Sequence, residues 1–347
     1  MNFISQKDLQ NRGIAIWVCT LTIMVLLMIL IGGLTRLTDS GLSMVDWKPL
    51  MGTLPPLSYD SWIKVFEKYK LSPEYLIINK NMSLNEFKFI FWWEWGHRFF
   101  ARLIGLVFLF PFLFFILKKS ISKNLIMSMF LIFIFGLFQA VVGWWMVKSG
   151  LSDDPHVSAY RLSFHLTNAL IIYCILFWIS LSLICGYNYN IKRSSIIKKF
   201  FLISLFLVFI TIVSGGFMAG TDAGKSFNTF PLMGDNIIPD EYFISEYGWL
   251  NSFENTIAIN FNHRWLASFT FLFIFFLMLY LLIFKNNQYN NLSLVLVLIF
   301  LSGQFLLGIL TLIYGVPILF ASMHQTNSIL LMSSILFAYH KILYKGK

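Results

Sequence analysis

The chain has 347 residues, of which 58% are hydrophobic and 12% are charged, and its mean hydropathy is +0.73. A soluble domain carries roughly 25% charged residues, so this composition excludes a soluble domain and indicates a polytopic membrane protein. The formal net charge is +10. Because the basic residues follow the membrane pattern described below, a surface that binds nucleic acid is a poor explanation for this charge.

Eight apolar runs are long enough to cross the ~30 Å hydrocarbon core of a bilayer as helices. They cover approximately residues 14–34, 97–117, 125–147, 162–185, 200–218, 263–284, 292–314 and 323–343. The first run is followed by no small-residue cleavage site, so we expect a retained helix, and no transit peptide is visible. The sequence therefore predicts an all-α polytopic membrane protein with eight transmembrane helices.

The distribution of basic residues predicts the orientation of these helices. With the N-terminus in the cytoplasm, the cytoplasmic segments hold 13 basic residues and a single acidic residue, Asp8. The other 15 acidic residues then lie in outer segments. We therefore expect both termini to be cytoplasmic and the two long loops, 35–96 and 218–262, to lie on the outer side, with short helices at the membrane interface.

The second half of the sequence repeats motifs of the first half in the same order. The matched segments are Gly32–Gly41 with Gly215–Gly224, Pro49–Gly52 with Pro231–Gly234, His97–Ala101 with His263–Ala267, Gln139 and Gly143 with Gln304 and Gly308, and His165–Asn168 with His324–Asn327. Because each half holds four helices, both halves insert with the same orientation. We predict two tandem four-helix bundles, residues 1–185 (the first half) and 200–347 (the second half), joined by a cytoplasmic linker at 186–199.

Four of the six histidines occupy repeated positions, namely His97, His165, His263 and His324. In each half one lies at the outer start of the second helix and the other near the outer start of the fourth, so all four have a similar depth. Two imidazoles that face each other across a four-helix bundle can supply both axial ligands of a haem. Zinc is the rival metal, but two histidines per half with no cysteine and one nearby carboxylate make a thin ligand set. A packing role explains one such histidine more easily than two matched pairs.

The two halves differ three residues before the first histidine of each, where Glu94 in the first half is matched by Asn260 in the second. A haem that is being modified can use a carboxylate as a general base or to stabilise a developing cation, whereas an electron-transferring haem does not need one. We therefore predict a reaction chamber in the first half and a permanent haem in the second. A glutamate wetted by lipid headgroups is the alternative. Arg98 and Arg264 can bind haem propionates or reach toward lipid phosphate, and both options stay open.

This ordered set of motifs resembles the heme A synthase family over approximately residues 14–343. The residues that carry the resemblance are Glu94–Arg98, His165–Asn168, Asn262–Arg264 and His324–Asn327. The family oxidises the C8 methyl group of haem O to the formyl group of haem A, the cofactor of terminal cytochrome oxidases.

The resemblance implies a role for each matched residue. His97 and His165 would bracket the substrate haem, His263 and His324 would ligate a haem b, and Glu94 would be the catalytic carboxylate. Successive oxidations of the methyl group would take their oxygen from water.

The resemblance also implies a branch, a location and partners. Some members carry a cysteine pair in the first outer loop, and residues 35–96 contain no cysteine, so the chain resembles the proteobacterial and mitochondrial branch. Without a transit peptide, we expect a bacterial inner membrane with the haem sites toward the periplasm. The implied partners are haem O, the heme O synthase that precedes it and cytochrome oxidase assembly factors, and a homo-oligomer is left open.

Two other classes of protein share part of this pattern. A two-haem electron carrier or quinol-oxidising cytochrome b would explain the four histidines but not the difference between Glu94 and Asn260. A transporter built from a parallel repeat would have broken helices and polar residues at the midplane. The deep polar residues of this chain, which we expect to tie helices together instead, are Gln139, Asn168, Gln304 and Asn327.

Overall fold

A computed structural model of the chain describes residues 3–46, 54–152, 155–186, 188–189, 195–285, 289 and 291–345. The α-helices of these residues are α1 (Gln6–Leu9), α2 (Arg12–Leu37), α3 (Tyr59–Tyr69), α4 (Pro73–Ile77), α5 (Leu84–Leu117), α6 (Lys123–Gly150), α7 (Ala159–Cys185), α8 (Ser195–Gly220), α9 (Asn251–Glu254), α10 (Thr256–Phe284), α11 (Asn291–Ile313) and α12 (Ile318–Leu343). Short 3-10 helices occupy Ala223–Lys225, Asp240–Tyr242 and Ser245–Leu250. A two-residue antiparallel pairing joins β1 (Asn188–Tyr189) to β2 (Tyr344–Lys345). The all-α class is confirmed.

Within the described residues, seven helices are long and apolar enough to cross a membrane: α2, α5, α6, α7, α8, α10 and α11. This finding fits the predicted multi-pass membrane protein. The eighth predicted helix is present as α12 and has 26 residues, but it is not among the seven. Its polar residues, His324, Gln325 and Asn327 among them, lower its hydropathy.

The helices α5 and α10 begin well before the apolar runs predict. The prediction that the second long helix begins near residue 97 is wrong, because α5 begins at Leu84. Ser83 caps α5 by accepting a hydrogen bond from the backbone N–H of Glu86, and this cap starts the helix before the apolar run. His97 therefore lies inside α5, and His263 likewise lies inside α10, rather than at the outer starts of these helices.

The long helices pack in the same pattern in both halves. In the first half α2 contacts α5 and α7, and α6 contacts α5 and α7; in the second half α8 contacts α10 and α12, and α11 contacts α10 and α12. The two sets meet where α12 contacts α2 and α7 and where α7 contacts α8. The repeat segment Pro49–Gly52 lies outside the described residues, and so do residues 187 and 190–194 of the predicted linker at 186–199, whereas residues 195–199 belong to α8.

Matched glycines allow the helices of the two sets to approach closely. A Cβ atom on Gly33 of α2 would overlap the Gln325 side chain of α12, and one on Gly216 of α8 would lie 2.8 Å from Ser163 Oγ of α7. Because glycine has no side chain, membrane helices can approach each other closely at these positions. The Tyr173 hydroxyl lies 2.7 Å from Ser333 Oγ and adds a buried hydrogen bond between α7 and α12.

Asp8, the single acidic residue predicted on the cytoplasmic side, is fully buried. Its Oδ1 accepts a hydrogen bond from the Ser122 backbone N–H at 2.8 Å, and its Oδ2 accepts one from the Ser122 hydroxyl at 2.5 Å. Ser122 in turn caps α6 by accepting from the Leu125 backbone N–H at 3.2 Å. Asp8 therefore ties the N-terminal segment to the start of α6.

We expect Asp8→Ala to lower the free energy of unfolding by about 2 kcal/mol, because it removes charge-assisted hydrogen bonds from a buried helix cap. The measurement is thermal unfolding of the purified protein in detergent. Asp60→Ala, at an exposed acid in the first turn of α3, is the control and should change the midpoint little. Equal midpoints for the wild type and Asp8→Ala would contradict this assignment.

A second, smaller core lies beside the first long loop and is called the outer core here, after the side that the sequence predicts for this loop. Its buried residues come from α3 and the first turns of α5: Trp62, Phe66, Tyr69, Phe87, Ile90 and Phe91. The Tyr69 ring packs against the Phe87 ring with centroids 5.0 Å apart. This outer core, together with the partly buried Met44 and Trp95, surrounds the part of α5 that carries Glu94.

Candidate functional site

The structure brings His97 of α5 close to His165 of α7. Both imidazoles are half-buried. They are close enough for an electrostatic interaction between the two rings. Each ring lies against a glycine of a neighbouring helix. A Cβ atom on Gly32 of α2 would lie 3.2 Å from His97 Nε2, and one on Gly143 of α6 would lie 3.0 Å from His165 Cε1.

The second half repeats this arrangement with His263 of α10 and His324 of α12. These two imidazoles are also half-buried, and they are close enough to interact electrostatically. A Cβ atom on Gly215 of α8 would lie 3.4 Å from His263 Cε1, and one on Gly308 of α11 would lie 3.0 Å from His324 Cε1. The predicted histidines are thus grouped in pairs, one pair in each half.

Gln139 and Asn168 hold His165 in place. The Gln139 amide nitrogen lies 3.1 Å from His165 Nε2 and donates to the His165 carbonyl at 3.1 Å. The Asn168 amide donates to Gln139 Oε1 at 2.7 Å. These deep polar side chains connect α6 to α7, as predicted.

Gln304 and Asn327 take the matched positions around His324. The Gln304 amide nitrogen lies 3.4 Å from His324 Nε2, and the Asn327 amide donates to Gln304 Oε1 at 3.0 Å. The same three residue types therefore occupy the third and fourth helices of both halves.

The chemistry of each imidazole pair suits the iron of a haem, which the two rings would hold. His165 Nδ1 and His324 Nδ1 are both buried without a hydrogen-bond partner in the described part of the chain. A buried nitrogen without a partner costs free energy, which a ligated metal would recover. The described residues contain no group of three His, Cys, Asp or Glu that could hold a metal ion by itself. A haem needs only two axial protein ligands, and each half supplies two imidazoles.

Glu94 is buried inside the protein rather than wetted by headgroups, with 2% of its surface exposed. Its Oε2 accepts hydrogen bonds from the Ser43 hydroxyl and from the Met44 backbone N–H, both at 2.7 Å. Its Oε1 accepts from Arg98 Nη2. Three donors therefore fix one carboxylate, and Oε1, which accepts a single hydrogen bond of the three, keeps a further lone pair.

Arg98 and Arg264 each bond to the long loop that follows the first helix of their own half. Arg98 Nη2 donates to the Met44 carbonyl at 3.3 Å in addition to Glu94. Arg264 Nη2 donates to the carbonyl oxygens of Thr229 at 2.7 Å and of Pro231 and Leu232 at 3.1 Å each. Arg98 is thus paired with a carboxylate, whereas Arg264 is bonded to backbone.

Asn260 replaces Glu94 in the second half and is fully buried. Its amide donates to the Ala223 carbonyl at 2.8 Å, so it also bonds to the segment that follows the first helix of its half. The position therefore has the same structural task in both halves, and only in the first half does it carry an acid.

The sequence analysis missed Ser43 and the Met44 N–H as partners of Glu94. They lie about fifty positions before it in the chain, directly after the repeated Gly32–Gly41 segment. No spacing rule connects them to α5. Their position next to a repeated segment was the single signal available.

Glu74 is a second buried carboxyl group in the outer core, with 4% of its surface exposed. The Tyr69 hydroxyl donates to Glu74 Oε2 at 2.8 Å, and the Asn79 amide donates to the Tyr69 hydroxyl oxygen at 2.8 Å. Burial raises the pKa of Glu74 to about 7; the Tyr69 hydrogen bond opposes this rise, and the charges of Glu94 and Asp39 add to it. Burial also raises the pKa of Tyr69.

We expect Glu74 to make the stability of the outer core depend on pH. Its pKa is higher in the folded protein than its ordinary value of 4.5, so the folded state binds the proton more tightly than the unfolded state. Stability therefore falls as the pH rises from 4.5 to about 7 and then levels off, by at most roughly 3 kcal/mol. Glu74→Gln should flatten this dependence.

Thermal unfolding at pH 5 and pH 8 checks this prediction. Glu67→Gln, which changes an exposed acid of α3, should keep the dependence of the wild type. The explanation would be wrong if Glu74→Gln retained the full loss of stability between these two pH values.

The chain is similar to known proteins along almost its whole length. The model of the COX15-CtaA family, described as a cytochrome oxidase assembly protein, matches residues 15–336. The chain is 43% identical to a heme A synthase of Nitrosospira multiformis over 97% of this chain and 95% of that protein. It is 41% identical to a heme A synthase of Nitrosomonas eutropha, over 98% of this chain and 96% of that protein.

A heme A synthase of Wolbachia pipientis subsp. Culex pipiens is 41% identical over 95% of this chain and 97% of that protein. These matches extend across both halves and include the positions of all four paired histidines and of Glu94. They confirm the resemblance inferred from the motifs: the chain belongs to the COX15-CtaA family, the heme A synthase family.

Proposed function

We propose that the protein is a heme A synthase, an oxidoreductase that converts the C8 methyl group of haem O to the formyl group of haem A for cytochrome oxidase. One observation carries the proposal. Two matched histidine pairs are present, and a buried carboxylate, Glu94, stands beside just one of them. An acid at one pair and an amide at the other suit one haem that reacts and one that does not.

The first half would hold the substrate haem between His97 and His165, and the second half would hold a haem b between His263 and His324. When bound, the substrate haem supplies the iron and the methyl group that is oxidised. The glycine beside each of the four imidazoles lets that ring lie close to the backbone of a neighbouring helix. Arg98 and Arg264 would bind propionates, a role supported by their positions one residue after a ligand.

Glu94 would accept a proton and hold it next to the reacting group. The proton would come from the water molecule that supplies the oxygen or from the substrate. Ser43, Met44 and Arg98 keep the carboxylate in one orientation, so no reorganisation is needed when charge develops. The surrounding outer core excludes bulk water from this side of Glu94.

We also propose the finer architecture. The helix α12 would be the eighth membrane-spanning helix, both termini would be cytoplasmic, and 186–199 would link the halves 1–185 and 200–347. This architecture is supported by the sequence repeat, by the matched packing of the two helix sets and by the excess of basic residues in the segments predicted to be cytoplasmic. The protein would lie in a bacterial inner membrane, with its haem sites toward the periplasm.

The chemistry also implies partners. An enzyme that attaches a farnesyl group, heme O synthase, must supply haem O, and cytochrome oxidase assembly factors must receive haem A. A homo-oligomer is a further proposal, which the mass of the detergent-solubilised protein would test.

The deciding experiment adds haem O to the purified protein, extracts the haems and separates them chromatographically. We expect haem A to form while haem b is retained. Haem b alone, with no conversion, would instead identify a two-haem electron carrier. A protein that binds no haem would point to transport.

A further inference from the structure

Ser214 of α8 contacts an imidazole of the second half. Its hydroxyl donates to the Thr211 carbonyl at 2.8 Å and lies 2.7 Å from His263 Nδ1. A hydroxyl group has a single hydrogen. Because the Thr211 carbonyl takes that hydrogen, Ser214 Oγ acts as acceptor toward His263, and the proton of the bond is on Nδ1.

This hydrogen bond fixes both the tautomer and the direction of His263. With its proton on Nδ1, the imidazole keeps the lone pair of Nε2 for a metal. Hydrogen bonds of this kind orient a ligating histidine and increase its basicity. Ser214 thus prepares His263 as an axial ligand before any haem is present.

The matched position in the first half cannot do the same. Ser214 precedes Gly215 as Ile31 precedes Gly32, and an isoleucine side chain accepts no hydrogen bond. The rings are also oriented differently. His97 presents Nε2 to its glycine, whereas His263 presents Cε1.

We infer that Ser214 is the positioning residue that makes the haem of the second half permanent, and that Ile31 leaves His97 free to release its haem after turnover. The inference rests on the proposed function, because it takes the second haem as resident and the first as substrate. An enzyme of this kind must exchange one haem and keep the other. Ser214 and Ile31 differ at a matched position. Around them, the paired histidines and the glycines, glutamines and asparagines that contact or support them are the same in both halves.

The test measures the loss of haem b from Ser214→Ala to an excess of apomyoglobin, followed by absorbance. We expect loss roughly 10- to 100-fold faster than from the wild type, the usual effect of removing the partner of a ligating histidine. The midpoint potential of haem b should also rise, because a less electron-rich imidazole stabilises ferric iron less. Ser214→Thr, which keeps the hydroxyl, should restore both values.

Ser204→Ala is the matched control. Ser204 lies on the same helix and donates to the Phe200 carbonyl at 2.9 Å, so its removal repeats the loss of a buried helix-bonded hydroxyl. Haem loss and potential should stay at the values of the wild type. A Ser214→Ala protein with the retention and potential of the wild type would overturn the inference.

Ile31→Ser tests the same idea without touching the second half. It should slow the release of haem A from the first half by up to roughly tenfold, and unchanged release would count against the inference. The proposed function is tested separately. If the wild type forms no haem A, the proposed function is refuted. If Ser214→Ala still loses haem b faster than that wild type, the role of Ser214 in holding haem b remains.

Discussion

Glu94→Gln is expected to abolish haem A formation, with a loss of roughly 10²- to 10⁴-fold, the usual contribution of a positioned acid or base. The substitution keeps the size of the side chain and an oxygen that can accept from Ser43 and Met44. It removes the proton acceptor and the ion pair with Arg98. The measurement is haem O conversion by purified protein, with the haem b spectrum recorded on the same sample.

Two further variants sharpen this experiment. Ser43→Ala removes one of three donors to the Glu94 carboxylate and should cause an intermediate loss, roughly tenfold. Glu67→Gln, at an exposed acid of the same outer region, should leave conversion unchanged. Full turnover by Glu94→Gln with a normal haem b spectrum would show that the buried acid has another task.

The repeat and the paired histidines could be read from the sequence because identical residue types recur in the same order in both halves. The difference between Glu94 and Asn260 followed from the same alignment. These features depend on residue identity at matched positions, and a repeat makes such positions visible without any three-dimensional information.

The start of α5 could not be predicted from hydropathy. Asn85, Glu86 and Lys88 interrupt the apolar pattern before residue 97, yet the helix continues through them. The Ser83 cap and the burial of Phe87 and Phe91 against α3 stabilise these turns, and a hydropathy window does not detect either one.

The hydrogen bonds that Ser43 and Ser214 make to the functional side chains could not be predicted from the sequence either. Ser43 lies 51 positions from Glu94, and Ser214 lies 49 positions from His263. Serine is common in membrane helices, where it most often bonds to the carbonyl one turn before it. Whether Ser214 also reaches His263 depends on how α8 and α10 cross, with Gly215 between them. Ser43 lies beyond the end of α2, and its contact with α5 depends on the path of the segment that follows α2.

His263→Ala and His324→Ala are each expected to remove haem b almost completely, because a haem with two axial imidazoles loses half of its protein ligation when one is replaced. Haem b is measured as the pyridine haemochrome per protein. His97→Ala should keep haem b but stop the conversion of haem O, since it alters only the substrate pair. His340→Asn is the control. His340 is buried near the C-terminal end of α12, beside Ser182.

The control should keep its haem b, because His340 belongs to neither pair. Since His263 and His324 would act as one unit, replacing both should be no worse than replacing either, and this non-additivity separates shared ligation from two independent packing defects. Additive losses of stability with haem b retained in both single variants would assign the two imidazoles to helix packing. The second half would then need another means of holding its haem.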